Sequence, residues 1–244
     1  MCRDTFRTAG LLLLLSFTTA RGQSEGFLHG ETRLQVGGFA DFITSARIYP
    51  ASRDADPVIN TTYNSVGGFM AFGGDVRLIL PQGNAVGITV LPIYLLNETG
   101  SIYGYNSSGE YIGAPIKDGF SLWLFELTGY FNIPVADGHW NLYLGGGPSV
   151  YFGKRIVQIG NAEADTPVES SLGIQICAGL SYRFTSHWGL RGEMKAMSPQ
   201  LNTTSTFSST STEYDGLTVN LPQTLYGKID INGTDFTLGV FYEF

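Results

Sequence analysis

The sequence predicts an all-β protein, an eight-stranded antiparallel up-and-down transmembrane barrel, and three observations lead there. Apolar residues alternate with small or polar ones through segment after segment. No stretch supplies the roughly 20 continuous apolar residues that a membrane-spanning helix needs. Short and long connections between the segments alternate along the whole chain. The last ten residues, Asp235 to Phe244, show the pattern most plainly. Phe236, Leu238, Val240, Tyr242 and Phe244 share one face, while Thr237, Gly239, Phe241 and Glu243 share the other. Side chains alternate across a strand, so one face of this segment is wholly apolar. Repeated without helices to cover it, such a face is expected to meet lipid.

The amino end predicts export. Arg3 and Arg7 precede the apolar run Ala9 to Phe17, and Ala20 and Gly22 follow in signal-peptidase spacing. This reads as a cleavable signal over residues 1–22, with a barrel domain over 23–244. Cys2 precedes the apolar run, which argues against a lipoprotein. Removal of the signal leaves Cys177 alone, so no intrachain disulfide is expected.

The formal net charge is −7, and residues 1–22 carry three arginines against one aspartate, so the mature chain is more acidic still. That argues against nucleic acid or a polybasic lipid-binding surface. Charged residues make up only 14% of the chain while glycine and aromatics are plentiful, as a barrel with alternating faces requires.

Eight strands follow in order. The first, near Arg33–Phe42, turns Leu34, Val36, Ala40 and Phe42 outward. The second, near Gly68–Leu80, opposes Met70, Phe72, Val76 and Leu78 to Ala71, Gly73, Asp75 and Arg77. Pro81 to Asn84 make a tight turn into the third, Ala85–Leu96, with Val86, Ile88, Val90 and Tyr94 outward. The fourth, Phe120–Ile133, sends out Trp123, Phe125, Leu127, Phe131 and Ile133. A turn at Ala136 to Gly138 leads to the fifth, His139 to about Phe152, with Trp140, Leu142, Leu144 and Val150 outward. The sixth, Leu172–Phe184, alternates best, from Leu172 and Ile174 out to Gly173 and Gln175 in. The seventh, Trp188–Met197, places Arg191, Glu193 and Lys195 inside. The eighth ends the chain and is expected to begin as early as Tyr226. Pro92 and Pro148 each remove a ladder donor, so bulges are expected there near the outer rim.

The alternation of tight turns with long polar links is that of barrels with periplasmic turns and external loops. A lipocalin-like soluble barrel would put its apolar face inside; here the inward face is the charged, glycine-rich one. Trp140, Trp188, Phe131, Tyr182, Phe184, Tyr242 and Phe244 all map near the short-turn end, as an interfacial girdle. Phe42, Tyr94, Trp123 and Phe236 are candidates for the opposite one.

In these features the chain resembles the small eight-stranded outer-membrane barrels of Gram-negative bacteria, the OmpA-domain, OmpX and OmpW type. The most specific element is the end, where Thr237, Gly239, Tyr242 and Phe244 match the terminal signal such barrels present to their assembly machinery. The resemblance implies integral localisation in the outer membrane, insertion by the BAM complex, and lipopolysaccharide as a neighbour.

The inward ionisable set is Asp41, Asp75, Arg77, Glu126, Arg183, Arg191, Glu193, Lys195 and Glu243. Both signs are present, and enclosed charges must pair, so a salt-bridged plug is expected ahead of a polar conduit. Inward Leu91, Ile93, Leu95, Leu122 and Leu124 are candidates for an apolar entrance near the outer rim.

No cofactor or metal site is expected, since His and Cys do not cluster. Catalysis is not expected either: His29 precedes the first strand, and His139 and His187 flank short turns away from the external side. The acids Asp54, Asp56, Glu110, Glu163, Asp165, Asp215 and Asp230 read as solvated loop carboxylates. Ile102 to Ile112 reads as a tyrosine-rich hairpin around Asn106-Ser107-Ser108-Gly109, and Ser198 to Thr212 as a Ser/Thr-rich loop. The sequons at Asn60, Asn97, Asn106, Asn202 and Asn232 fall in or beside the loops, as polar loop composition.

Function is therefore expected on the external loops, as a structural or interaction protein of the envelope with an extracellular or envelope partner. A narrow channel for small or apolar solutes, OmpW-like, is the alternative. A soluble ligand-binding barrel ranks third and an enzyme last.

Overall fold

The computed structural model describes residues 32–53, 56–81, 83–134 and 139–244. The signal segment and His29 lie outside the described residues, as do Asp54 and the Ala136–Gly138 turn. No helix among the described residues is long and apolar enough to cross a membrane.

Eight antiparallel strands close on themselves. These are β1 (Arg33–Ile43), β4 (Phe69–Ile79), β5 (Ala85–Tyr105), β6 (Tyr111–Pro134), β7 (Trp140–Ile159), β9 (Pro167–Arg183), β10 (Trp188–Met197) and β15 (Gly233–Glu243). Each pairs with the next in that order, and β15 pairs back onto β1 from Gln35↔Glu243 to Ile43↔Asp235. Closure matters physically, because an open edge in hydrocarbon leaves backbone groups unsatisfied at several kcal/mol each.

The outward face is the apolar one. Phe72, Ile88, Leu127, Leu144, Ile174, Ile176, Met194 and Leu238 are all exposed, while Asp75, Arg77, Glu126, Glu193 and Lys195 are buried. An exposed belt of this extent on a closed barrel is a lipid-facing surface. At the short-turn end, Trp140 packs on Tyr182 with ring centroids 4.6 Å apart, and Trp188 on Tyr242 at 5.1 Å.

The long connections are not loops. β5 and β6 run together well past the belt to a hairpin whose turn spans Tyr105 and Tyr111. There Asn106 Oδ1 accepts from the amides of Ser108 and Glu110, and Gly109 takes φ +80°. The segment expected as a Ser/Thr-rich loop holds β11 (Gln200–Thr206), and β12 (Ser211–Tyr214) and β13 (Leu217–Asn220) form a small hairpin beyond it. Tyr226 belongs to a separate strand, β14 (Thr224–Asp230), and the eighth barrel strand begins only at Gly233. β14 joins β11 to β2 (Ala46–Tyr49), and β2 joins β3 (Asn64–Val66). A short helix, α1 (Pro57–Thr61), is capped by the Asp56 side chain, and β8 (Ala162–Glu163) turns back on β7.

The two prolines do not make bulges. Register shifts occur at Glu98/Gly100 and at Tyr151/Gly153 instead. At Pro148 the β6–β7 ladder skips a step, from Glu126↔Ser149 to Gly129↔Gly146, without changing register. At Pro92 the β5–β6 ladder continues, but pairing with β4 ends at Gly74↔Val90. A missing N–H removes one hydrogen bond without adding a residue, so it opens a ladder rather than shifting it.

Candidate functional site: the filled lumen and the external extension

β6 crosses every layer of the interior with its even-numbered residues inward, as β7 does with its odd-numbered ones from Tyr143 to Ile159. From the short-turn end the buried ones of β6 are Tyr130, Thr128, Glu126, Leu124, Leu122, Phe120, Asp118 and Ala114. Each marks a layer to which the facing strands contribute.

At the short-turn mouth, Glu243 accepts from Gln35 at 2.7 Å and from Arg183 at 3.2 Å, and pairs with Arg33. Arg183 is half-buried and belongs to this mouth rather than to the central cluster.

Above it sits a continuous ion-pair network. Arg77 binds Asp75 at 2.6 Å and Glu193 at 2.9 Å, and Arg191 reaches Asp75 at 2.7 Å. The Tyr143 hydroxyl donates to Glu193 at 3.0 Å, and the Arg77 guanidinium lies 3.9 Å from the Tyr130 ring centroid. Inward glycines make the room: a Cβ on Gly37 would fall 2.5 Å from Asp75 Oδ1 and 2.7 Å from Arg191 Nη2.

Lys195 then bonds Glu126 at 2.8 Å and approaches Glu193 at 3.6 Å, while Thr237 donates to Asp41 at 2.9 Å. Thus the sequence-predicted charges Asp41, Asp75, Arg77, Glu126, Arg191, Glu193 and Lys195 all meet in the barrel's lower interior. The alternation did not single out Asp235, yet it is 1% exposed with no hydrogen-bond partner for either oxygen among the described residues. It lies directly across the ladder from Lys195.

The next layer is apolar and closed. Leu91, Ile93, Leu122, Leu124, Phe120, Phe39, Tyr151 and Met197 form one buried cluster, with Leu95 packed against it. The leucines and isoleucine expected near an outer rim therefore lie in mid-interior, because the strands continue far above them. The β4–β5 ladder lapses beside this layer, where Pro92 lies opposite Trp123.

Above the apolar layer stands a second ion pair that the sequence did not reveal. Arg155, 1% exposed, binds Asp118 through Nε at 2.9 Å and Nη2 at 2.5 Å, and its Nη1 is 3.4 Å from Thr203 Oγ1. Gly227 leaves the space this guanidinium fills. Asp230, expected as a solvated loop acid, is buried as well, because β14 folds it into the extension. At the top, Phe207, Leu217, Val219 and Leu221 pack on Ala114, Val157 and Ile159 and close the interior.

The histidines lie away from all of this. His187 Nδ1 is 2.9 Å from the Glu243 carbonyl oxygen and His139 Nδ1 is 3.2 Å from that of Arg183, both at the short-turn end.

Together, a closed antiparallel barrel with an apolar belt outside and paired charges inside defines an integral outer-membrane β-barrel protein of the Gram-negative type. Comparison with solved structures places the fold in the same class. The chain resembles OprG of Pseudomonas aeruginosa at 14% identity and a TM-score of 0.50, covering 88% of this chain and 96% of that one. Ail, the attachment invasion locus protein of Yersinia pestis, follows at 12% identity and a TM-score of 0.45, over 88% and 99% of the two chains. The N-terminal barrel domain of Pseudomonas aeruginosa OprF matches at 10% and 0.43, over 88% and 100%. No family model and no curated protein sequence matches the chain.

Proposed function

We propose that this protein is a closed, non-conducting cell-surface barrel that acts through its β-structured external extension, as an interaction protein of the envelope. The observation that carries this reading is the sequence of layers along β6. Ionic plug, apolar layer, Arg155–Asp118 pair and apolar cap each fill the interior, and none leaves its side chains exposed. Small barrels fill their interiors with side chains, so their specific chemistry is carried outside. The external hairpin presents Tyr103, Tyr105 and Tyr111, all more than 60% exposed, with the Tyr103 and Tyr111 rings stacked at 5.7 Å. Exposed tyrosines of this kind suit recognition. The reading involves no catalysis and no cofactor.

Proteoliposomes holding the folded protein are expected to retain small polar solutes as well as empty liposomes do. Release at the rate of an open porin would overturn the proposal.

A second reading is favoured by one observation, the lapse of the β4–β5 ladder at Pro92 beside the buried apolar layer. In it, apolar solutes pass sideways between β4 and β5 into the membrane. Pro92→Ala supplies the missing N–H and is expected to abolish such uptake if this route operates.

We further propose that Thr237, Gly239, Tyr242 and Phe244 act as the recognition signal for the outer-membrane assembly machinery. Deleting Phe244 is expected to reduce the heat-modifiable, folded fraction in cells at least severalfold. The same variant is expected to refold in detergent, since Phe244 is exposed.

A further inference from the structure

The external extension carries a set of cations on its outward side that the closed-lumen reading does not use. Arg47 and Tyr49 point outward from β2, and Tyr226 and Lys228 do so from β14. The Lys228 Nζ lies 4.3 Å from the Tyr49 ring centroid, the Arg53 guanidinium 5.0 Å from that of Tyr226, and Arg47 4.9 Å from that of Tyr63. Tyr49 and Tyr63 are themselves in contact at 5.4 Å. Aromatic faces hold all three cations in place without neutralising them.

Tyr49, Ser52, Arg53, Asn60, Asn202 and Lys228 surround a recess of about 420 Å³. None of Arg47, Arg53 and Lys228 forms an ion pair with a described carboxylate. This stands out in a chain of net charge −7. Elsewhere on the extension Lys154 lies 3.9 Å from Glu163 and Arg155 is bound to Asp118, and Arg47 itself faces Asp230 across the β2–β14 ladder, which leaves Arg53 and Lys228 as the recess cations without a facing acid among the described residues.

Height and chemistry select the ligand. Asn202 stands eight residues beyond the lipid-facing Met194 on the chain that leaves β10. At a strand rise of about 3.4 Å and a tilt of about 40°, this is roughly 20 Å above it. The recess therefore lies at the level of the sugars above the outer leaflet. Arg53 and Lys228, without an ion pair among the described residues, suit phosphate or sulfate, tyrosine rings meet the C–H face of a pyranose, and Ser52 and Asn202 serve its hydroxyls.

We infer that this recess binds a phosphate- or sulfate-bearing saccharide. The inference rests on the reading of the extension as the functional part and names the partner's chemistry. It fails separately, because a closed barrel without this affinity would still be silent in a bilayer.

The test measures binding of three fluorescent probes to the protein folded in detergent micelles. They are rough lipopolysaccharide with a phosphorylated core, the same material after phosphatase treatment, and a soluble sulfated hexasaccharide. Arg53→Ala/Lys228→Ala removes the recess cations, and Lys117→Ala/Lys154→Ala removes equal charge elsewhere on the extension. Heat-modifiable gel mobility tracks folding in both. The expected result is at least tenfold weaker binding for the recess variant, little change for the control variant, and weak binding of the phosphatase-treated probe. Tighter binding of the lipopolysaccharide assigns the ligand to the membrane's own glycolipid; tighter binding of the hexasaccharide assigns it to a soluble glycan. Unchanged binding in the recess variant, or equal loss in both variants, overturns the inference.

Discussion

Lys195→Met is expected to lower the unfolding free energy of the barrel by about 3–5 kcal/mol, the usual penalty for removing one partner of a buried ion pair. Lys195 is 3% exposed and lies 2.8 Å from Glu126 and 3.6 Å from Glu193. Asp41 and Asp235 are buried in the same layer, and no other cation among the described residues bonds Glu126. Methionine keeps much of the side-chain volume, so the loss reports charge rather than a cavity. Urea titration in phospholipid vesicles, followed by tryptophan fluorescence, measures it. Adding Glu126→Gln to Lys195→Met is expected to recover part of the stability, because it removes one orphaned carboxylate. A single variant as stable as the native protein would mean that these acids are not held by Lys195.

The second large effect is expected higher up. Arg155→Ala breaks a two-point bond to Asp118 and the contact with Thr203, leaving a buried carboxylate without its cation. These three residues lie on β7, β6 and β11, so one side chain ties three strands above the membrane belt. The expected outcome is local: about 3 kcal/mol or more lost from the extension, while the lipid-embedded barrel stays folded. Limited proteolysis of folded protein in vesicles reads this directly. Cleavage is expected between about residues 198 and 232 in the variant and not in the native protein. Equal resistance in both would show that the apolar cap alone holds the extension.

The lower barrel was legible in the sequence because lipid outside and paired charge inside impose opposite demands on alternate residues. In β10, Arg191, Glu193 and Lys195 alternate with Leu190, Met194 and Ala196, and the structure places every one as the alternation requires. The extension was not legible, for a physical reason visible within β6. Its even-numbered residues point inward throughout, but the polarity of the two faces exchanges above the membrane. Trp123, Phe125 and Leu127 face lipid below, whereas Lys117 and Tyr111 face water above, and Ile112, Ala114 and Ile116 become the apolar inner face. A pattern sought as apolar-outside ends where the outside changes from lipid to water. Hence Asp118 and Arg155 fell outside the expected strands, and β11 and β14 were read as polar loops. In β11 buried Leu201, Thr203 and Ser205 alternate with exposed Asn202, Thr204 and Thr206, but both sets are largely Ser and Thr, so the sequence carries almost no contrast between the faces.

The prolines teach a related point. Both lie on outward positions with their ladders interrupted, yet neither shifts register. The bulges fall elsewhere, beside Phe152 within the apolar belt and beside Thr99 further up the β5–β6 hairpin. Bending the wall takes an extra residue, whereas proline only withholds a hydrogen bond.

The measurement that tests this account most directly is single-channel conductance of the folded protein in a planar bilayer, with Lys195→Met recorded beside it. A silent native barrel and a flickering, leaky variant are the predicted results, because the ion pairs fill the lower lumen and are not a path through it. Steady unitary conductance from the native protein would contradict the account and make the interior, rather than the external extension, the seat of function.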